Sequence, residues 1–140
     1  MPKSSTGTIS VLVVEDEPLI RIFLSDLLRD EGLHVTEACT ADEAADLLKD
    51  REFSAVFTDV TMPGRMDGLE LAQHVCREHE GTAVIIASAN DVGGTVPHDV
   101  PFLRKPYDVP HLLRLVTAMI EQAHVKPEHR PGKTRRNRLS

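Results

Sequence analysis

The sequence predicts an α/β fold: a doubly wound five-stranded parallel sheet with helices on both faces. Three observations predict it. Short β-branched apolar runs alternate with longer stretches whose apolar residues recur at helical spacing. The short runs are continuous in hydrophobicity, as strands buried on both faces require. The alternation reads βαβαβαβ, a weak segment, then βα, and parallel neighbours need the crossovers such helices supply. No internal repeat goes beyond this alternation.

The elements follow in order. Residues 9–14 form the first strand. Residues 18–31 place Leu19, Ile20, Phe23, Leu24, Leu27 and Leu28 on one stripe at helical spacing, with Pro18 in the first turn and Gly32 as the stop. Residues 34–38 read as the second strand. Thr40 and Glu43 have the spacing of a capping box opening a helix through Leu47 and Leu48 to about Asp50. Residues 54–58 form a third buried strand ending at Asp59. A Pro-Gly turn leads to a helix from about Asp67, carrying Leu69, Leu71, Ala72, Val75 and Cys76. Residues 82–87 make the fourth strand, and Phe102 and Leu103 mark a short fifth. The last helix starts at Asp108, with Leu112, Leu113, Leu115, Val116, Met119 and Ile120 as its stripe.

Composition narrows the class. At 140 residues with 41% hydrophobic and 27% charged residues, the chain has enough apolar mass for one core and too much for a disordered protein. Its longest apolar runs are four or five residues, against about 20 for a bilayer span, and residues 1–8 lack the apolar stretch of a secretory signal. Cys39 and Cys76 have no CxxC spacing. A cytoplasmic protein is expected. The net charge of −6 conceals a split: residues 123–140 carry six Lys/Arg against one acid, leaving ten bases against 21 acids in residues 1–122. An acidic body attracts cations and repels nucleic acid. The expected organisation is a flexible N-terminus at 1–7, one domain at 8–122 and a basic disordered tail at 123–140, too short for a helix-turn-helix. The seven scattered histidines form no ligand set.

Function in such a sheet resides beyond the carboxyl ends of the strands. Strand one is followed by Glu15, Asp16 and Glu17; strand three ends in Thr58-Asp59, strand four in Ala87-Ser88-Ala89, strand five in Arg104-Lys105-Pro106. Taken singly these have ordinary explanations: Glu17 a helix cap, Ser88 a turn hydroxyl, Lys105 a solvated lysine. Together, carboxylates, a hydroxyl and an ammonium converge. Clustered carboxylates repel unless a cation joins them, and Mg²⁺, hard and oxygen-seeking, is the natural one. With Lys105 and Ser88 available to a phosphate, the set has the chemistry of phosphoryl transfer to a carboxylate nucleophile.

The segments VLVVEDEP, FTDVTMPGRMDGLEL, VIIASAN and PFLRKPY resemble those of the response-regulator receiver domain of two-component signalling, over roughly residues 9–122. The resemblance implies a flavodoxin-like, CheY-like fold with strand order 2-1-3-4-5. It implies Asp59 as phosphoacceptor, and Glu15, Asp16, Asp59 and the backbone carbonyl of Thr61 as the Mg²⁺ site. Lys105, before a cis-prone Pro106, would be the phosphate-pairing lysine, and Ser88 and Phe102 the switch pair. The implied partners are a histidine kinase or histidine phosphotransfer protein and a downstream protein target; composition and charge add that no membrane contact is expected and that a nucleic-acid contact by the basic tail is the lesser alternative to a solvated tail or linker. Such a domain is no enzyme beyond its own phosphorylation and autodephosphorylation.

Two departures from the family pattern stand out. The loop after Asp59 reads MPGRMDG, one residue longer than the common form, and the extra residue, Arg65, is expected near the metal crevice. Ser88 to Lys105 spans only 17 positions, with Gly93, Gly94, Pro97 and Pro101 between them, so the family's fourth helix is expected to be short or absent and the protein monomeric. A stand-alone receiver is the leading expectation; one excised from a hybrid histidine kinase or a longer regulator is the alternative. A haloacid-dehalogenase-like phosphatase would want an acid where Thr61 stands. A flavodoxin-like cofactor binder would not place Glu15-Asp16-Glu17 in its phosphate loop. A degenerate receiver used only for docking would not keep the whole set.

Overall fold

The computed structural model describes residues 9–62, 64–89, 100–105 and 108–129. Along them run β1 (Ser10–Val14), α1 (Pro18–Asp30), β2 (His34–Ala38), α2 (Ala41–Asp50), β3 (Ala55–Asp59), α3 (Gly68–Glu78), β4 (Ala83–Ser88), β5 (Phe102–Arg104) and α4 (Val109–His129). Expectations for residues 1–7, for a helix at 90–99, for Pro106 and for residues 130–140 fall outside the described residues. The strands are all parallel, in the order β2-β1-β3-β4-β5. The chain leaves β1 for β2 on one side and returns to β3 on the other. The crevice at this reversal therefore opens between the carboxyl ends of β1 and β3.

Residues Val11, Leu12, Val13 and Val14 are all fully buried because the sheet is covered on both faces. The pleat sends Leu12 and Val14 to one side, against Ala41, Ala44 and Leu48 of α2 and Leu71, Ala72 and Val75 of α3. Val11 and Val13 go to the other, with Leu24 and Leu28 of α1 and Leu112 and Val116 of α4. The helical backbone of α4 continues through His129, past the expected domain end at residue 122. Once a helix is nucleated, each added residue costs little.

The apolar stripe of α1 is only partly buried. Only Leu24, Ser25 and Leu28 of α1 are buried, whereas Leu19 is 82% exposed, Phe23 55% and Ile20 36%. At about 100° per residue, Leu24 and Leu28 share one side of the helix. Leu19 and Phe23 join Ile22, itself 48% exposed, on another. The apolar stripe is wider than the surface that β1 and β2 offer it.

The other site-facing helices are capped. The Thr40 hydroxyl accepts from the Glu43 amide, while the Glu43 carboxylate accepts from the amide of Cys39, one residue before the cap. At α3 the box is complete: Asp67 and Glu70 each accept from the other's backbone N–H at 2.9 Å.

Candidate functional site: a carboxylate crevice with one lysine

The sheet ladder carries each side chain to the crevice. The Glu15 amide extends the β1–β2 ladder by donating to the Ala38 carbonyl at 3.1 Å. Asp59 closes β3 opposite Ala87, and the next amide, Val60, donates to the Ala87 carbonyl. The Lys105 amide donates to the Ser88 carbonyl at 2.8 Å, prolonging the β4–β5 pairing by one residue. Glu15, Asp16 and Asp59 thereby present carboxylate oxygens that all lie within 4.8 Å of one another. The Lys105 ammonium stands 3.3 Å from Asp59 Oδ2 and 3.8 Å from Glu15 Oε1.

Ser88 is buried at the end of β4, one residue beyond the partner of Asp59. Phe102 is half-buried opposite Ile86 and packs with Val100 on the α2–α3 side of the core. Thr61 occupies the exposed turn leading away from β3. Glu17 is the N-cap residue of α1, but its side chain makes no capping hydrogen bond.

Glu15 is the most constrained member. Its carbonyl accepts from Arg21 Nη1 at 2.9 Å, and its Oε2 accepts from the Glu17 amide at 3.1 Å. Oε1 is buried and has no hydrogen-bond partner among the described residues. Burial pushes the Glu15 carboxyl above the usual range; the Asp59 and Asp16 carboxylates push the same way, against the Glu17 amide and the Lys105 ammonium. Three carboxylates face one ammonium, so the ionised set has two negative charges in excess. An all-oxygen donor set with that surplus and one unsatisfied buried oxygen fits a hard divalent cation.

A family description of the response regulator receiver domain matches residues 11–117. The chain belongs to this family. Among curated relatives, it is 29% identical over 126 residues to the nitrogen assimilation regulatory protein NtrX of Azorhizobium caulinodans, covering 86% of this chain and 28% of NtrX. It is 30% identical over 115 residues to the response regulator receiver protein CpdR of Brucella abortus, covering 79% of this chain and 95% of CpdR. The chain thus spans little more than a quarter of NtrX. Among solved structures it resembles response regulator TrrA of Thermotoga maritima, in complex with Mg²⁺ and BeF, with a TM-score of 0.69 and 26% identity over 79% of this chain and 98% of that one.

Two residues of this receiver escape a reading by residue type. Gly68, first in α3, has no room for a side chain: a Cβ there would strike the Asp59 carbonyl oxygen and lie 2.8 Å from Val60 Cα. Its amide donates to the Val60 carbonyl at 2.9 Å, so α3 presses directly on the strand end that bears Asp59. The Asp-Gly pair at 67–68 was the available signal. The second is Arg21, a charged residue within an apolar helical stripe.

Arg65 turns away from its expected place. Its amide donates to Asp42 Oδ2 at 2.9 Å, and the preceding Gly64 has φ +111° with Asp42 crowding the position of its missing Cβ. Arg65 lines a groove of about 410 Å³ with Asp42, Met66, Glu70, Gln73, His74 and Arg77, on the α2–α3 side.

Proposed function

We propose that this receiver accepts a phosphoryl group on Asp59 from a phosphohistidine of a histidine kinase or a histidine phosphotransfer protein, and thereby switches a protein-interaction surface in the cytoplasm. The observation that carries the reading is the placement of Asp59: a buried carboxylate held 3.3 Å from a lysine ammonium and crowded by two further carboxylates. An Asp59 oxygen attacks phosphorus in line with the departing imidazole. The O–P bond forms as the N–P bond breaks, and the electron pair returns to the imidazole nitrogen. Lys105 follows a phosphoryl oxygen, and its charge stabilises what develops there. Glu15, Asp16, Asp59 and the Thr61 carbonyl would hold Mg²⁺, which supplies charge neutralisation to both carboxylates and phosphoryl oxygens. The new group adds roughly −1.5 to −2 charge. The Ser88 hydroxyl donates to one of its oxygens, and Phe102 follows into the space vacated.

The exposed Leu19, Ile22 and Phe23 stand on α1, the helix that leaves the Glu15–Glu17 turn. Leaving such a side chain in water forgoes about 1.5–3 kcal/mol relative to burial, and three neighbours doing so supports this face as the contact for the phosphodonor protein. The match across 95% of CpdR supports a receiver that works alone; the match to 28% of NtrX supports the alternative, a receiver within a longer regulator or hybrid kinase. No described helix is long and apolar enough to cross a membrane.

The test is phosphorylation by acetyl phosphate with Mg²⁺, followed by intact mass. Wild type should gain one base-labile phosphoryl group, and Asp59→Asn none. Full labelling of Asp59→Asn would refute the assignment.

A further inference from the structure

Arg21 is out of place by composition. Its side chain is only 14% exposed, in the first turn of a helix whose neighbouring positions bury Leu24, Ser25 and Leu28. Two edges of its guanidinium are engaged at once: Nη1 donates to the Glu15 carbonyl at 2.9 Å, and Nε to Glu37 Oε1 at 3.2 Å. Glu37 is itself clamped, because Arg29 Nη2, two turns further along α1, donates to its Oε2 at 3.3 Å and to the Val35 carbonyl at 3.2 Å. A planar fork held at two edges has one orientation, which lysine's single ammonium does not reproduce.

We propose that Arg21 is a positioning residue of the divalent-cation site: it fixes the Glu15–Asp16 peptide through the Glu15 carbonyl, while Glu37 neutralises its charge. The inference rests on the reading that Glu15, Asp16 and Asp59 hold a divalent cation. The peptide unit is planar, so fixing the Glu15 oxygen also fixes the Asp16 nitrogen. Asp16 is exposed and takes its direction from that peptide. With its amide on Ala38, its carbonyl on Arg21 and Oε2 on the Glu17 amide, Glu15 is left with one open oxygen, Oε1, toward the other carboxylates. A bare guanidinium so close would compete with a cation for these carboxylates. Paired with Glu37, it supplies geometry without that competition.

The three ways Arg21 could act differ in their effect on Mg²⁺ affinity. As a mere positive charge, its removal would tighten Mg²⁺ binding to an acidic crevice. As a mere staple between α1 and β2, its removal would lower stability and leave Mg²⁺ affinity alone. As a positioning residue, its removal weakens Mg²⁺ binding. The experiment is calorimetric titration of the full chain with Mg²⁺, beside urea unfolding of the metal-free protein. Arg21→Gln should weaken Mg²⁺ affinity on the order of tenfold, the usual loss when the group orienting a metal ligand is removed. Arg21→Lys should recover only part of that loss, and Arg29→Gln, which cuts the remote arm, should stay within about twofold of wild type by the same reasoning. Affinity unchanged or increased in Arg21→Gln, or in Arg21→Lys should the first variant not fold, overturns the inference while leaving the cation site standing. Failure of the wild type to bind Mg²⁺ overturns the site, and the inference with it.

Discussion

α1 and α3 both depart from strand ends that carry carboxylates, yet they begin in opposite ways. α3 opens with a reciprocal Asp67–Glu70 box and a glycine pressed onto the Asp59 carbonyl. α1 opens with Pro18, takes no side-chain bond from Glu17, and shows Leu19, Ile22 and Phe23 to solvent. The first start braces the strand end that carries Asp59. The second leaves apolar surface exposed on the helix that follows Glu15 and Asp16. Rigidity and accessibility are thus assigned to different helices around one site.

The largest effect should come from breaking the α3 side. Gly68→Ala gains at most about 1 kcal/mol in helix propensity, but its methyl group must displace the backbone at Asp59. A net loss of about 2–3 kcal/mol is expected from such overpacking, read as a lower urea midpoint together with poorer labelling by acetyl phosphate. Next comes the α1 side. A Leu19→Ser/Phe23→Ser double variant should change stability by no more than about 0.5 kcal/mol, as exposed sites do. Its phosphotransfer from a protein phosphodonor should nevertheless fall on the order of tenfold, the loss of about 1.4 kcal/mol of contact, with acetyl phosphate labelling unchanged. Equal loss with both donors would show that the exposed face is part of the crevice and not a docking surface.

The caps sharpen the contrast further. Asp67→Ala should destabilise by about 1 kcal/mol, because it removes the side-chain acceptor of the Glu70 amide. Glu17→Ala, at the equivalent position of α1, should stay within about 0.5 kcal/mol, since no capping bond is there to lose. Comparable losses in the two variants, measured by urea unfolding, would erase the distinction between the helix starts.

The parts of the fold legible in the sequence are those set by local pattern. Continuous β-branched runs identify buried strands, and the strand ends name Glu15, Asp16, Asp59, Ser88 and Lys105 because a parallel sheet brings those ends together. Local pattern failed at α1. Periodicity shows that Leu19, Ile20, Phe23, Leu24, Leu27 and Leu28 are apolar and helically spaced, but how much of that arc the sheet covers is a tertiary fact. Gly68 and Arg21 were illegible for the same reason. The first matters through an approach to a backbone nine residues away, the second through one partner just past β1 and another within β2.

The Arg65 turn has a consequence for how the family's loops can vary. The extra residue is anchored to α2. It is taken up sideways, with Gly64 adopting the left-handed turn and Asp42 of α2 holding the Arg65 amide. The lengthened loop is therefore braced by α2. That anchoring makes the exposed Arg65 side chain a handle: a fluorophore attached at this position would report from the α2–α3 groove.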